Sequence, residues 1–212
     1  MILLIAYEKG GTGKSTLAKN LSVYLQQQGR DLITVDTDPQ QTLYRWSEVR
    51  KSNPDVKPIN CVKLTGRHIL SELKSLSTKY QDLVIDAGGA DSPALRAAMS
   101  IATHLLMPLQ ANVGDLEILD HMTEVLEQAQ MINPDLHTRA VVTMCPALPS
   151  MAGVILDAKE FCKMKKVQPL NAIIYRRQAY DLSSLSGLTA LESNDPKARQ
   201  EVLELANEFL EV

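Results

Sequence analysis

Short unbroken apolar runs recur along the chain, separated by longer stretches whose apolar positions return every three or four residues. Residues 2–6, 32–35, 83–85, 104–107 and 140–143 are of the first kind and predict strands buried on both faces. Residues 15–28, 66–77, 92–101 and 115–132 are of the second kind and predict helices. Such alternation predicts an α/β fold, a mostly parallel twisted sheet with helices on both faces. The punctuation fits. Gly29 stands where the first helix needs its C-cap, and Asp38-Pro39 and Ser92-Pro93 each read as an N-cap followed by proline at the first helical position. Residues 51–61, with Pro54 and Pro58, predict a loop holding one short strand. With no repeat, low-complexity tract or linker, residues 1–212 are expected to form one domain.

Composition narrows this further. A chain of 212 residues suits one α/β domain. Hydrophobic residues at 45% and charged residues at 22% mark a globular chain, and only 4% aromatics means a core of Leu, Ile, Val, Ala and Met. No apolar run approaches the roughly 18 residues of a transmembrane helix. The start is apolar but lacks a basic segment and runs straight into glycines, which predicts a strand rather than a signal peptide. Cys61, Cys145 and Cys162 are widely spaced, which argues against a disulfide framework or zinc site and fits a reducing cytoplasm. The formal net charge of −3 requires any nucleic-acid affinity to come from a local basic patch.

The candidate chemistry begins where the first strand ends, at Lys9-Gly10-Gly11-Thr12-Gly13-Lys14-Ser15-Thr16. A phosphate cradle needs bare backbone N–H groups pointing inward, which glycines permit, and the helix that follows adds a partial positive charge. In such a loop Lys14 reaches the β- and γ-phosphates, and Ser15 offers its hydroxyl to Mg²⁺, with Thr16 adding a second. A glycine-rich turn with a solvated lysine is the plain alternative. The order strand, glycines, Lys-Ser, helix favours the cradle. The loop departs from the generic pattern at Glu8, where a glycine is usual, and carries an additional lysine, Lys9. Two acidic segments follow. Asp36 and Asp38 lie at the carboxyl end of the second strand, and Asp86 ends an apolar strand as a Mg²⁺-holding carboxylate would. Asp38 is equally suited to a helix N-cap.

The segment Lys9–Thr16 resembles the deviant Walker A motif of the ParA/MinD family of ATPases. Asp36-Thr37-Asp38-Pro39-Gln40 resembles the family's Asp-x-Asp-Pro-Gln segment, and Leu83–Gly89 its Walker B strand. The resemblance extends to Leu105–Gln110 and to Asn171–Arg177, similar to a late strand and basic loop of partition ATPases. It implies a P-loop fold binding ATP and Mg²⁺, with Lys9 crossing to the partner's phosphates in an ATP-bound homodimer. By the same match Asp38 orients the attacking water, while Asp36 and Asp86 join Ser15 around Mg²⁺. The chain looks most like the small plasmid ParA (ParF-like) proteins without a leading helix-turn-helix domain. That implies non-specific binding of double-stranded DNA, slow hydrolysis stimulated by a centromere-binding ParB-like adaptor, and a cytoplasmic protein on the nucleoid when ATP-bound.

For DNA, Lys159, Lys163 and Lys166 lie at helical spacing with Lys165 adjacent, and Arg176-Arg177 follow. These predict a salt-sensitive phosphate contact through Lys163, Lys166, Arg176 and Arg177. Asp157 and Glu160 interrupt the stripe, as an ordinary solvated face would. The acidic end, residues 201–211, argues against anionic membranes, and no cysteine lies between Asp86 and Cys145 to hold a cluster. Cargo-positioning or conjugation-accessory ATPases of the same family are the nearest alternatives, and a P-loop ligase or kinase the more distant one.

Overall fold

The computed structural model describes residues 1–66 and 68–210. Its strands are β1 (Ile2–Ile5), β2 (Leu32–Asp36), β3 (Cys61–Lys63), β4 (Asp82–Asp86), β5 (His104–Leu109), β6 (His137–Cys145) and β7 (Gln168–Tyr175). The helices are α1 (Lys14–Gln27), α2 (Thr42–Ser52), α3 (Ile69–Ser77), α4 (Pro93–Met99), α5 (Val113–Gln130), α6 (Met151–Met164), α7 (Gln178–Leu185) and α8 (Pro196–Leu210), with a 3₁₀ turn at Ala190–Glu192. The strands form one parallel sheet in the order β3-β2-β4-β1-β5-β6-β7.

Strand β1 lies between β4 and β5, and Leu3, Leu4 and Ile5 are fully buried. Because side chains alternate along a strand, Leu4 joins the core beneath α3–α6 while Leu3 and Ile5 join the core beneath α1, α2, α7 and α8. Both faces are therefore covered, which explains why these strands read as unbroken apolar runs. Helix α1 ends as its glycine requires. Gly29 has φ +77°, its N–H donates to the Gln26 carbonyl, and the Arg30 N–H reaches the Leu25 carbonyl. Ser92 caps α4 by accepting from the Leu95 N–H at 3.1 Å.

Several boundaries differ from the expectations. Asp38-Pro39 does not open a helix. Asp38 accepts from the Gln40 N–H at 2.8 Å in a local turn, and α2 starts at Thr42 after Gln41, whose φ is +52°. Helix α2 itself has no counterpart in the apolar pattern, because its inward positions are Leu43, Trp46, Ser47 and Arg50, two of them polar. The expected helix over 66–77 is formed from Ile69, and its residue Arg67 lies outside the described residues. Helix α6 stops at Met164 and Lys166 adopts φ +59°, so Lys166 is not on the face shared by Lys159 and Lys163.

Arg50 is the largest fully buried side chain. It forms two bonds to Glu192, at 2.8 and 2.9 Å, and donates to the carbonyls of Lys57 and Gly187, joining α2 to the 3₁₀ turn. Gly187 sits against it at φ +74°, where an added Cβ would lie 2.5 Å from Arg50 Cα. Helix α8 packs its apolar stripe, including Val202, Leu205, Ala206 and Phe209, into the core. Glu211 of the acidic end lies outside the described residues.

Candidate nucleotide site

All seven strands point the same way, so the loop after β1 lies at the carboxyl edge of the sheet, where such folds bind ligands. Gly10, Gly11, Gly13, Lys14, Ser15 and Thr16 line a cavity of about 310 Å³, with Asp38, Thr42, Gly89 and Met144 facing them. The glycines are required by conformation and by space. Gly11 and Gly13 have φ of +76° and +91°, and a Cβ on Gly89 would meet the Gly10 N at 3.2 Å. Thr12 is buried beneath the loop.

Lys14 begins α1 and is buried, and its ammonium donates to the Lys9 carbonyl at 2.6 Å. Burial lowers its pKa, and the carboxylates of Asp86, Asp38 and Asp115 oppose that shift. Its charge therefore rests on a loop carbonyl. Asp86 ends β4 with no exposure, and neither of its oxygens has a hydrogen bond of ordinary geometry, though the Ser15 hydroxyl stands close enough to favour the charged form. Burial pushes this carboxyl up to about 7, with Asp36 and Asp38 adding to the shift and Ser15 and Lys14 opposing it. A fully buried, unpartnered carboxylate is costly unless a cation or its water occupies the space in front of it. That fits the Mg²⁺ expected from Ser15 and Asp86, which would be held by these side chains and by nucleotide phosphates.

The geometry gives Asp36 a structural task beside the outer metal shell expected of it. Each of its oxygens accepts a backbone N–H, from Asp38 at 3.0 Å and from Tyr44 at 2.8 Å. It thereby folds the loop that presents Asp38 to the cavity. Burial still raises its pKa, against the lowering effect of those two bonds.

Lys9 directly precedes the glycines, with its side chain 33% exposed, and its ammonium is paired with the fully buried carboxylate of Asp115. The second Asp115 oxygen accepts the Gln110 N–H at 2.7 Å, and the Asp115 N–H donates to its cap, Asn112, at 3.0 Å. Asp115 escaped the sequence reading because it resembles any acid in a helix's first turn and stands far from Lys9 in the chain. Glu8 likewise has a partner, His121, at 2.6 Å.

The residues expected to meet DNA do not behave alike. Arg177 is committed inward, bonding Glu201 through Nε at 2.6 Å, and Glu201 also accepts from the Tyr180 hydroxyl. Lys163 pairs with Glu160 at 2.7 Å, Lys165 with Asp120 at 2.5 Å, and Lys159 donates to the Asn171 carbonyl. Arg176 and Lys166 are exposed. The continuous stripe inferred from spacing is therefore broken by its own carboxylates.

A parallel sheet with a glycine cradle at its central strand, and a buried acid on the neighbouring strand, defines a P-loop nucleotide-binding protein. The chain belongs to the family of the CobQ/CobB/MinD/ParA nucleotide-binding domain, whose profile matches residues 3–192. It is 27% identical over 200 residues to the maintenance of carboxysome distribution protein A of Gloeobacter kilaueensis, covering 94% of this chain and 88% of that protein. It is 25% identical over 195 residues to the chromosome partitioning protein ParA of Myxococcus xanthus, covering 74% and 69%. The fold is also that of the ATP complex of a Cyanothece McdA variant, with a TM-score of 0.77 at 19% identity, covering 98% of this chain and 95% of that one.

Proposed function

We propose that this protein is a Mg²⁺-dependent ATPase that acts as a dimerisation switch in a partition or positioning system. The observation that carries the reading is Lys9: a second cation directly precedes the glycines that line the phosphate cavity, partly exposed and held by a single carboxylate of its own chain. Such a charge can be redirected when a stronger anion arrives, and a triphosphate shared with a second copy is that anion. In this reading Lys14 and the partner copy's equivalent lysine offset charge on the transferred phosphoryl group, and Asp38 orients water. Mg²⁺ would supply charge neutralisation at the β- and γ-oxygens. The ADP or nucleotide-free form is a monomer, and intrinsic hydrolysis is slow until a ParB-like adaptor stimulates it.

The ATP-bound dimer binds double-stranded DNA without sequence preference, and so sits on the nucleoid in the cytoplasm. Arg176 and Lys166 carry that contact, Lys163 contributes less because Glu160 already neutralises it, and Arg177 supports the loop from within. The relatives' names include both carboxysome distribution and chromosome partitioning, so a protein assembly and a replicon are both cargoes of this class. A larger cavity, about 520 Å³, lies next door, sharing Gly89 with the phosphate cavity and lined in part by Leu64, Ile69 and Pro93.

Sizing the protein with ADP and with a non-hydrolysable ATP analogue, then adding a duplex of arbitrary sequence, tests this reading. A dimer that forms only with the triphosphate and binds DNA less as salt rises is expected. A monomer under every condition, or turnover that needs a small acid or amine, would refute it.

A further inference from the structure

The phosphate loop is hydrogen-bonded by two side chains from the β5 and β6 side of the sheet. Gln110, just past the end of β5, donates from its amide to the Gly11 carbonyl at 3.0 Å. Thr143 of β6, itself 1% exposed, donates to the Thr12 carbonyl at 2.7 Å and lies 3.2 Å from that of Leu109. In a trans peptide the C=O and the next N–H point in opposite directions. A carbonyl drawn toward Gln110 or Thr143 therefore turns the following N–H the other way. Gln110 thus orients the N–H of Thr12, and Thr143 that of Gly13. Gly11 and Gly13 border the cavity, whereas Gln110 and Thr143 do not, so the pull comes from outside it.

Glycines at φ +76° and +91° could otherwise rotate these peptides freely, so the loop needs an external restraint to stay aligned with no ligand present. Gln110 is itself fixed, since its backbone N–H is bonded to the buried carboxylate of Asp115. Thr143 is fixed by its place within β6.

We infer that Gln110 and Thr143 are positioning residues for nucleotide binding: they preorganise the N–H groups of Thr12 and Gly13 toward the phosphates without touching the ligand. This rests on the nucleotide reading above. It predicts that each side chain adds to phosphate affinity by avoiding the ordering cost of the loop, and that the two act on adjacent peptides rather than redundantly.

The test is ADP binding by calorimetry on the full chain, comparing wild type with Thr143→Val, Gln110→Leu, Thr143→Ser and Thr34→Val. Thr34 is the matched control, an equally buried threonine on β2 whose hydroxyl donates to the Asn60 carbonyl away from the loop. Thr143→Val and Gln110→Leu should each weaken ADP about fivefold or more. Thr143→Ser should restore most of the affinity. Thr34→Val should lower the melting temperature about as much as Thr143→Val while leaving ADP affinity unchanged. The ³¹P resonance of the bound β-phosphorus should move in Thr143→Val and Gln110→Leu but not in Thr34→Val. If folded Thr143→Val and Gln110→Leu bind ADP like wild type, or the affinity loss merely tracks melting temperature across all four variants, the inference fails while the nucleotide site stands. If wild type binds neither ADP nor ATP, the nucleotide reading fails and takes this inference with it.

Discussion

Removing the Lys9 amine, as in Lys9→Ala, should do two separable things. The first follows from the monomer. Asp115 is fully buried and its carboxylate has two partners, the Lys9 ammonium and the Gln110 N–H. Stripping the cation from a fully buried pair costs about 3–5 kcal/mol. Lys9 is a third exposed, so water screens the pair and we discount the loss to about 1–2 kcal/mol. At about 2–4 °C per kcal/mol for a chain of this size, the nucleotide-free protein should melt about 2–8 °C lower. Adding Asp115→Asn should recover most of the loss, because a neutral amide needs no counter-charge. The second effect belongs to the switch: Lys9→Ala should still bind ATP but remain monomeric with a non-hydrolysable analogue. Thermal melts without nucleotide and sizing with it keep the two effects apart. An unchanged melting temperature would show that the Asp115 pair stabilises nothing, and an ATP-dependent dimer of Lys9→Ala would remove Lys9 from the switch.

Other changes probe the frame around the site. Gly187→Ala places a Cβ 2.5 Å from Arg50 Cα at a positive φ, and should destabilise by about 3 kcal/mol or more, read by urea unfolding; a wild-type midpoint would contradict the packing. Asp82 is buried, which raises its pKa, yet the Arg30 hydrogen bonds and the amino terminus more than offset this and hold it below the usual carboxylate range. A depressed folded pKa stabilises above the unfolded value near 4 and is lost as pH falls through the folded one. Arg30→Met should therefore lower stability by about 1 kcal/mol at pH 7 and converge with wild type as pH falls through the depressed Asp82 pKa, measured by melts from neutral to acid pH. Arg176→Ala should weaken DNA retention in electrophoretic shifts several-fold with an unchanged melting temperature. Arg177→Ala should instead lower the melting temperature by stranding Glu201, and equal behaviour of the two would refute their division of labour.

The frame and the loop were legible in the sequence for a common reason: their signals are local. Unbroken apolar runs mark strands covered on both faces, and the glycines at 10, 11 and 13 announce a backbone that must bend and approach a ligand. What escaped notice depends on partners far along the chain. Helix α2 buries an arginine, so its inward stripe fails to look apolar until Glu192 is seen opposite it. Asp38-Pro39 carries the letters of a helix start, but Asp36 ties the Tyr44 N–H and delays the helix to Thr42. Asp115, Gln110 and Thr143 carry ordinary letters in ordinary places. Their roles come from strand order, which sets β5 and β6 beside the loop after β1. The basic stripe is the converse case, because helical spacing takes no account of the carboxylates that pair with Lys163 and Arg177, nor of the left-handed turn at Lys166.

The common direction of the seven strands has a practical consequence. The segments entering the strands, among them those around Gln81 and Asp135, all emerge on the face away from the phosphate loop. A fluorophore or surface tether at exposed Asp135 would leave the loops that sense nucleotide unencumbered. Immobilised through that side, the molecule would present its whole responsive edge to solution, so that a second copy and a DNA duplex could be delivered in sequence and their order of arrival timed on single molecules.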